Sequence, residues 1–594
     1  MHRGFKILIF ALMAAFLTVG SVYADQEKAA VLKTSVKALK AKSKQANAVD
    51  TATCFDGCHE TVKMLHDRGS HKDVNCVNCH EIPANHAEEP GPDTRPATRL
   101  DWQACGECHK EQMDSFLQLD ITSRPARNDK SNQGGRSPNP AWDKLMAPHG
   151  FTKEHAATRS HAAMLIDQFV VDRAFGGRFQ GIEGWNYIFK TGKVWDVLED
   201  THPEVETQKA FMRQTATANN PVCMNCKTMD HILDWAYMGD PVEGAKWSRA
   251  SNPVQMAKAM NHALNCFFCH DPHSAEPRIV RDALIDAMTR PDGKDNLYQK
   301  NAATNAPVEY ITMGERGYER RIAILQKDDP KRKVLQCAQC HVEYNCNPGT
   351  EYDTKEAIKM TDRRANHFPF KDVLDLYDHY FNTIKFQDFK NRFDGAPLWK
   401  GQHPDAESYY ESKHANAGIG CDACHTPAVT DKKGKLQYTS HFAASPRHQL
   451  EQTCLTSECH GEGADKNWDA NKYSAEYIKV STNWGKEEAL YSINSIKAYT
   501  TSKMRKAEFW LVTLTDAIVM AQRLGVSADI IKQAQLKHSE AHLLWEYWTA
   551  ENSDGFHNPE LAREALTKSV DLSMEGYKLV DDAMAAKGAA LAKK

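Results

Sequence analysis

The sequence predicts a mainly α fold in which much irregular chain wraps a bulky core that is not protein, followed by a C-terminal region of long helices. Three observations predict it. Cysteines recur as spaced pairs, most of them followed by histidine, from Cys54 to Cys459 and not beyond. The 594 residues are only 41% apolar with a mean hydropathy of -0.60, so side chains alone would build a thin core, yet 12 Trp, 22 Phe and 19 Tyr set the chain apart from a disordered composition. Past about residue 480, apolar residues repeat at helical spacing.

The N-terminus reads as an address. Arg3 and Lys6 precede an apolar run from Ile7 to Val19, and Val22-Tyr23-Ala24 offers a small-residue cleavage site. The run is shorter than the roughly 20 apolar residues that span a bilayer, which favours a cleaved signal over a retained anchor. Residues 1–24 are therefore expected to be a signal peptide, and the mature chain to start at Asp25 in the periplasm of a bacterium. Residues 25 to about 50 form a Lys- and Ala-rich leader, either a frayed helix or a disordered tail.

Five cysteine pairs are Cys-x-x-Cys-His units: Cys76/Cys79/His80, Cys105/Cys108/His109, Cys266/Cys269/His270, Cys337/Cys340/His341 and Cys421/Cys424/His425. In an exported chain, 17 cysteines suggest a disulfide framework. Chance at this composition would give on the order of 0.02 such units, and the spacing is that of c-type haem attachment. The two thiols add across the haem vinyl groups, and the following histidine becomes the proximal iron ligand. Cys54/Cys58/His59 and Cys454/Cys459/His460 have three and four intervening residues and are read as stretched forms, a local disulfide being the alternative. Cys223/Cys226 is followed by Lys227. Eight pairs predict eight c-type haems and leave Cys346 over.

Histidine supply agrees with that count. Seven of the 27 histidines are proximal, and the rest suffice for the second imidazole that an electron-passing haem usually takes. Porphyrin faces are apolar, so a haem stack can serve as the core, few strands are needed, and the polar composition is explained.

Four regions follow. Residues 1–24 are the signal peptide, and 25–140 hold three haems and end in a Pro/Gly/Asn/Ser-rich linker from Arg124 to Pro140. Residues 141–480 form a five-haem catalytic region, and 481–594 are helical. In that last region Phe509, Val512, Leu514, Ile518 and Ala521 lie on one apolar stripe closed by Gly525. A second helix is expected over Ala528 to Ala550, and Asn558-Pro559 opens a third. The stripe is core or an oligomer contact; a homo-oligomer, a trimer or a hexamer, is expected.

Lys227 stands where every other pair has histidine. An amine in place of imidazole changes the proximal ligand field, and attachment alone does not require it. Either the lysine ligates an iron whose opposite face is open to substrate, or it is a surface residue beside a haem ligated from elsewhere. Seven wired haems and one open haem would make a multi-electron redox enzyme.

Three motifs carry a resemblance: Cys223-Met224-Asn225-Cys226-Lys227, the run from Cys337 to His341 into Val342-Glu343-Tyr344, and Lys400-Gly401-Gln402-His403-Pro404. Thr158-Arg159-Ser160-His161-Ala162, Lys413-His414, Thr439-Ser440-His441 and Gly555-Phe556-His557-Asn558-Pro559 support them. From about residue 155 to 560, roughly two thirds of the chain, the sequence resembles the pentahaem cytochrome c nitrite reductases. With three more N-terminal haems it is similar in layout to the octahaem nitrite reductases. The resemblance implies a multihaem cytochrome c fold and six-electron reduction of nitrite to ammonium, with Arg159, Tyr344 and His403 over the open iron.

Those residue types suit the chemistry. A buried anion site favours Arg, and each reduction step needs protons from groups such as His and Tyr. A fixed positive charge also stabilises negative charge developing on departing oxygen. The family has Gly where this chain has Ser160, and the stretch from Arg159 to Lys227 exceeds the pentahaem pattern, so Arg173 and Arg178 are alternatives to Arg159.

The resemblance further implies distal ligands at His414, His441 and His557, with His161, His149 and His155 as further candidates. For the N-terminal haems His66, His71 and His86 compete. It implies calcium bound by the Glu343 carboxylate, the Tyr344 and Lys400 carbonyls and the Gln402 side chain, an all-oxygen set suited to a hard cation. A hydrogen-bonded cluster without metal is the alternative. It also implies a thioether between Tyr344 and Cys346, the alternative being a free buried thiol; two residues apart in extended chain, their side chains project to one side.

The expected partners are nitrite and a periplasmic or membrane-associated electron donor. The formal charge of -4, made more negative by haem propionates, suits a positively patched donor and not nucleic acid. Hydroxylamine and sulfite are further candidate substrates. Rival readings are an octahaem tetrathionate reductase, a hydroxylamine-oxidising relative, or a non-catalytic electron conduit.

Overall fold

Six of the eight cysteine pairs, those with two residues between them, begin in a short helix, as in Cys266–Cys269 and Cys421–His425. One turn brings positions three apart onto one face, so the two thiols of a Cys-x-x-Cys unit aim the same way. Short polar caps fix several of these turns: Asn265 accepts the Phe267 N–H at 3.1 Å and Asn75 that of Val77 at 3.3 Å. The two stretched pairs break the pattern. In the first, the helix holding Cys54 ends at Phe55, and Cys58 follows in a turn through Gly57 at φ +79°. The pair Cys454/Cys459 lies entirely in turns.

The computed structural model describes residues 49–118, 144–145, 160–162, 164, 221–252, 255–256, 259–290, 297–300, 309–325, 332–345, 348–431 and 433–592. The expected signal peptide and the linker from Arg124 to Pro140 lie outside the described residues, as do Arg159, Arg173, Arg178, His149, His155 and Cys346.

Among the described residues strands are short, as expected. The largest sheet joins β1 (Arg278–Ile279), β2 (Glu309–Met313) and β3 (Arg320–Ile324), all antiparallel in the order β1-β3-β2. Ile311, Met313, Ile322 and Ile324 alternate inward and pack on Leu65 of the N-terminal region. That region is stitched on at one further point. The Ser70 N–H donates to the Ser274 carbonyl at 3.0 Å, and a Cβ on Gly69 would lie 2.1 Å from Ser274 Cα, so only glycine allows the approach.

The C-terminal region consists of α1 (Lys486–Arg523), α2 (Ala528–Ala550) and α3 (Pro559–Ala592), which pack on one another. Gly525, at φ +68°, breaks the chain between α1 and α2. Helix α2 starts and stops where the sequence reading put it, and α3 opens on Pro559 as expected. The stripe on α1 needs one correction. Leu514, Ile518 and Ala521 are fully buried, but Phe509 is 63% exposed, because it lies outside the arc that α2 and α3 cover. The C-terminal half of α2 is buried all round, with Trp545, Tyr547 and Trp548 packed against Tyr380 and Trp399. No described helix is long and apolar enough to cross a membrane.

Candidate functional site

Seven of the eight cysteine pairs contribute at least one thiol to the lining of one cavity of about 2440 Å³. Ordinary ligand pockets hold roughly 300–1000 Å³, so this one suits several large groups side by side. Thiols of successive motifs meet one another: Cys54 with Cys76, Cys105 with Cys266, Cys337 with Cys421 and Cys226 with Cys340. Cys79 neighbours Cys108, Cys269 neighbours Cys337, and Cys424 neighbours Cys454 and Cys459. The motifs thus form a line from residue 54 to the Cys337/Cys340 pair. There it branches, one arm reaching Cys226 and the other Cys421 and then Cys454.

Cys58 belongs to the one pair that contributes no thiol to this cavity. It is solvent-exposed, and neither it nor Cys54 is part of the cavity wall. The cause is local: the helix stops at Phe55, and the turn through Gly57 carries the second thiol past the face on which the first one sits. Cys108 is exposed as well, yet it remains on the cavity wall, because its Cys-x-x-Cys spacing keeps it on the turn with Cys105. The site at the Cys54 end of the line therefore has an exposed thiol at its attachment edge.

Each of the seven motif histidines faces another histidine across a gap. Ring centroids are 6.3 Å apart for His59 and His86, 6.4 Å for His80 and His273, and 6.1 Å for His109 and His71. They are 6.4 Å apart for His270 and His441, 6.2 Å for His341 and His161, 6.5 Å for His425 and His557, and 6.2 Å for His460 and His414. Two imidazoles on opposite sides of one iron, with bonds of about 2.0 Å and ring radii of about 1.1 Å, would have centroids about 6.2 Å apart. The spacing therefore fits an iron between each pair. Burial holds His161, His273 and His425 down to about 4, the neutral form that binds metals.

Of the competing N-terminal candidates, His71 and His86 face motif histidines, whereas His66 Nε2 lies 3.2 Å from the Val74 carbonyl and its ring packs on Phe55. The partner of His80 is His273, which sequence reasoning missed. Its signal was local, since His273 stands three residues after His270 in Cys269-His270-Asp271-Pro272-His273.

Lys227 is 4% exposed and lines the same cavity as Tyr344 and His403. Local backbone fixes its position: its N–H donates to Met224 O at 2.9 Å and its carbonyl accepts from Leu264 N–H at 3.2 Å. The Tyr344 and His403 rings are 6.0 Å apart, and Phe368 backs Tyr344 at 5.7 Å. Burial, with the Lys400 and His341 charges, pushes His403 well below the usual histidine range. Arg281, which the sequence reading also missed, is buried against the Cys226 thiol and holds Asn366 at 2.9 Å.

Beside this pocket lies an acidic cluster around the expected calcium residues. Glu343 Oε1 accepts from the Tyr380 hydroxyl at 2.8 Å and Oε2 from the Gln402 N–H at 2.7 Å, and burial pushes the carboxyl up to about 7. The Glu343 N–H donates to Glu407 at 2.9 Å, and the Lys400 N–H to Asp388 at 2.9 Å. Burial raises Asp388 to about 7 and Glu546 to about 8, and neither Glu546 oxygen has a hydrogen-bond partner. Glu343 and Asp388 are bonded, but one Glu407 oxygen and both Glu546 oxygens are not, and buried carboxylates left so fit a bound hard cation.

Residues 184–593 match the family model for cytochrome c552. The chain is 27% identical over 368 residues to the cytochrome c nitrite reductase subunit NrfA of Nitratidesulfovibrio vulgaris, covering 59% of this chain and 60% of the relative. It is 23% identical over 378 residues to cytochrome c-552 of Porphyromonas gingivalis, covering 61% of each. The chain spans about 60% of the length of these curated relatives. Among solved structures, the cytochrome c nitrite reductase of Desulfovibrio desulfuricans, described for two calcium sites in its catalytic subunit, aligns with a TM-score of 0.47 and 21% identity over 82% of this chain and 86% of that one. With the family model spanning well over half of a sequence whose cysteine pairs gather around one cavity, the protein belongs to the cytochrome c552 family.

Proposed function

We propose that this protein reduces nitrite to ammonium in the periplasm, with Lys227 as the proximal ligand of one haem and seven further haems between paired histidines. The observation that carries the reading is the convergence of Lys227, Tyr344 and His403 on one cavity, at the only motif without its own histidine. The haem on that motif would supply an open iron face for nitrite and pass on six electrons. The surrounding side chains would do the rest. Tyr344 and His403 hold protons next to the substrate, and His403, kept neutral, can take a proton and give it up as each oxygen leaves as water. Arg159 would draw the anion in. The same pocket would admit hydroxylamine and sulfite, which are of similar size and also reducible.

The branched line of thiols supports the wiring. Electrons from a positively patched donor would enter along the N-terminal motifs, where Cys58 and Cys108 are exposed, and reach Lys227 through the Cys337/Cys340 haem. Calcium at Glu343, Gln402 and the Tyr344 and Lys400 carbonyls would hold that wall in place, a reading supported by the buried carboxylates there. A thioether from Cys346 would fix Tyr344, and an assembly of three or six copies is the proposed quaternary state.

The test is ammonium yield from nitrite with reduced viologen as donor, for the wild type, Lys227→His and His403→Ala. The expected result is full conversion by the wild type, slower turnover in Lys227→His, and at least a hundredfold slower turnover in His403→Ala, consistent with the roughly 10²–10⁴-fold worth of a positioned proton donor. Wild-type protein that consumes electrons without making ammonium would end the proposal. In the same assay, removing calcium should lower turnover while the haem count by mass stays unchanged.

A further inference from the structure

Asp405 bonds the imidazole of one paired site and stands near that of a second. Its Oδ2 lies 2.9 Å from His341 Nδ1 and its Oδ1 3.9 Å from His557 Nδ1. The carboxylate is held still by Asn552, whose backbone N–H donates to Oδ1 and whose Nδ2 donates to Oδ2, both at 2.7 Å. Glu551, the neighbour of Asn552, places Oε1 2.7 Å from His557 Nδ1 with the N–H off the direct line, while its Oε2 accepts the Gly555 N–H at 3.0 Å. Both acids are nearly inaccessible, at 6% and 2% exposure. A metal ion in this cluster would displace bonds that Asp405 already accepts from His341 and Asn552, so the carboxylates serve as acceptors here.

The other paired histidines differ. Nδ1 of His71, His425, His441 and His460 faces a backbone carbonyl at 2.6–3.2 Å. That of His80 faces the Thr98 hydroxyl at 3.2 Å. Asp271 stands 3.7 Å from His273, too far for a hydrogen bond, and Arg278 takes up its charge at 3.1 Å. A carboxylate on Nδ1 makes the imidazole a stronger donor to iron, which favours the oxidised metal over the reduced one.

We propose that Asp405 and Glu551 are positioning residues that lower the reduction potentials of two relay haems, those held by His341 with His161 and by His425 with His557, below the other five. The inference rests on the ligand pairs proposed above. The His341 motif is the branch point adjoining Cys226, so a low potential there keeps electrons from resting on the branch.

The experiment is a spectroelectrochemical titration of the haem-loaded full chain, wild type against Asp405→Asn and Glu551→Gln, with EPR of each. Wild-type EPR tests the ligand pairs by itself, since they require low-spin signals from seven bis-imidazole irons. In Asp405→Asn, one of the lowest-potential components should rise by tenfold or more in its one-electron equilibrium constant, about 59 mV. Glu551→Gln should raise a different component, the other five should stay in place, and Asp405→Glu should restore most of the loss. Titration curves that superimpose on the wild type at full haem content would overturn the proposal, and so would a uniform shift of every component. If Asp405→Asn fails to load haem, Glu551→Gln decides the question alone.

Discussion

Between residues 49 and 481 the described chain is built from helices of at most nine residues and strands of at most five, arranged around cysteine and histidine. Between residues 486 and 592 it is three helices of 38, 23 and 34 residues packed through apolar side chains. Helices shorter than roughly 12–15 residues are marginal in water by themselves. The first region can nevertheless use single turns, because each turn only has to aim two thiols and an imidazole, and the porphyrins supply the apolar mass. The second borders the motif-lined cavity only at the start of α1 and between α2 and α3, and otherwise relies on long, continuous faces.

The largest expected effect separates the two regions outright. Full-length protein made without haem attachment should lose protease protection across residues 49–481 while the C-terminal helices remain resistant, as read by limited proteolysis with mass spectrometry. Uniform resistance of both regions would break the contrast. Smaller and confined to the helices is Leu514→Ala, where a fully buried side chain packs beside Ile518 and Val580. It should cost about 2–5 kcal/mol in denaturant unfolding of the helical region and leave the haem absorption bands unmoved. Smallest is Phe509→Ala, at the exposed position on α1, which should change stability by no more than about 0.5 kcal/mol in the monomer. A larger loss that depends on protein concentration would place Phe509 in an interface between copies.

Local patterns were legible in advance. The eight cysteine pairs, the exceptional Lys227 and the bounds of α2 are each encoded within a few consecutive residues, by attachment spacing or by turn and cap chemistry. The Tyr344 and His403 motifs, far apart in sequence, were brought together by resemblance, and their rings do lie 6.0 Å apart. The exposure of Phe509 was not legible, because the apolar period of one helix does not say how wide an arc its neighbours cover. Nor was that of Cys58, since spacing identifies a pair without saying which thiol the surrounding chain covers.

By itself, then, the sequence determined where the cysteine pairs stand, which of them lacks a histidine, and where the second long helix begins and ends. Only the tertiary structure decided which imidazole faces which. A histidine's place in the sequence does not name the imidazole it faces, and its partner is chosen wherever two remote segments meet, as when Gly69 lets the backbone at Ser274 approach and sets His71 and His273 across from their partners. The same holds for Asp405 and Glu551. An acid becomes a partner of an imidazole only through a contact that folding makes.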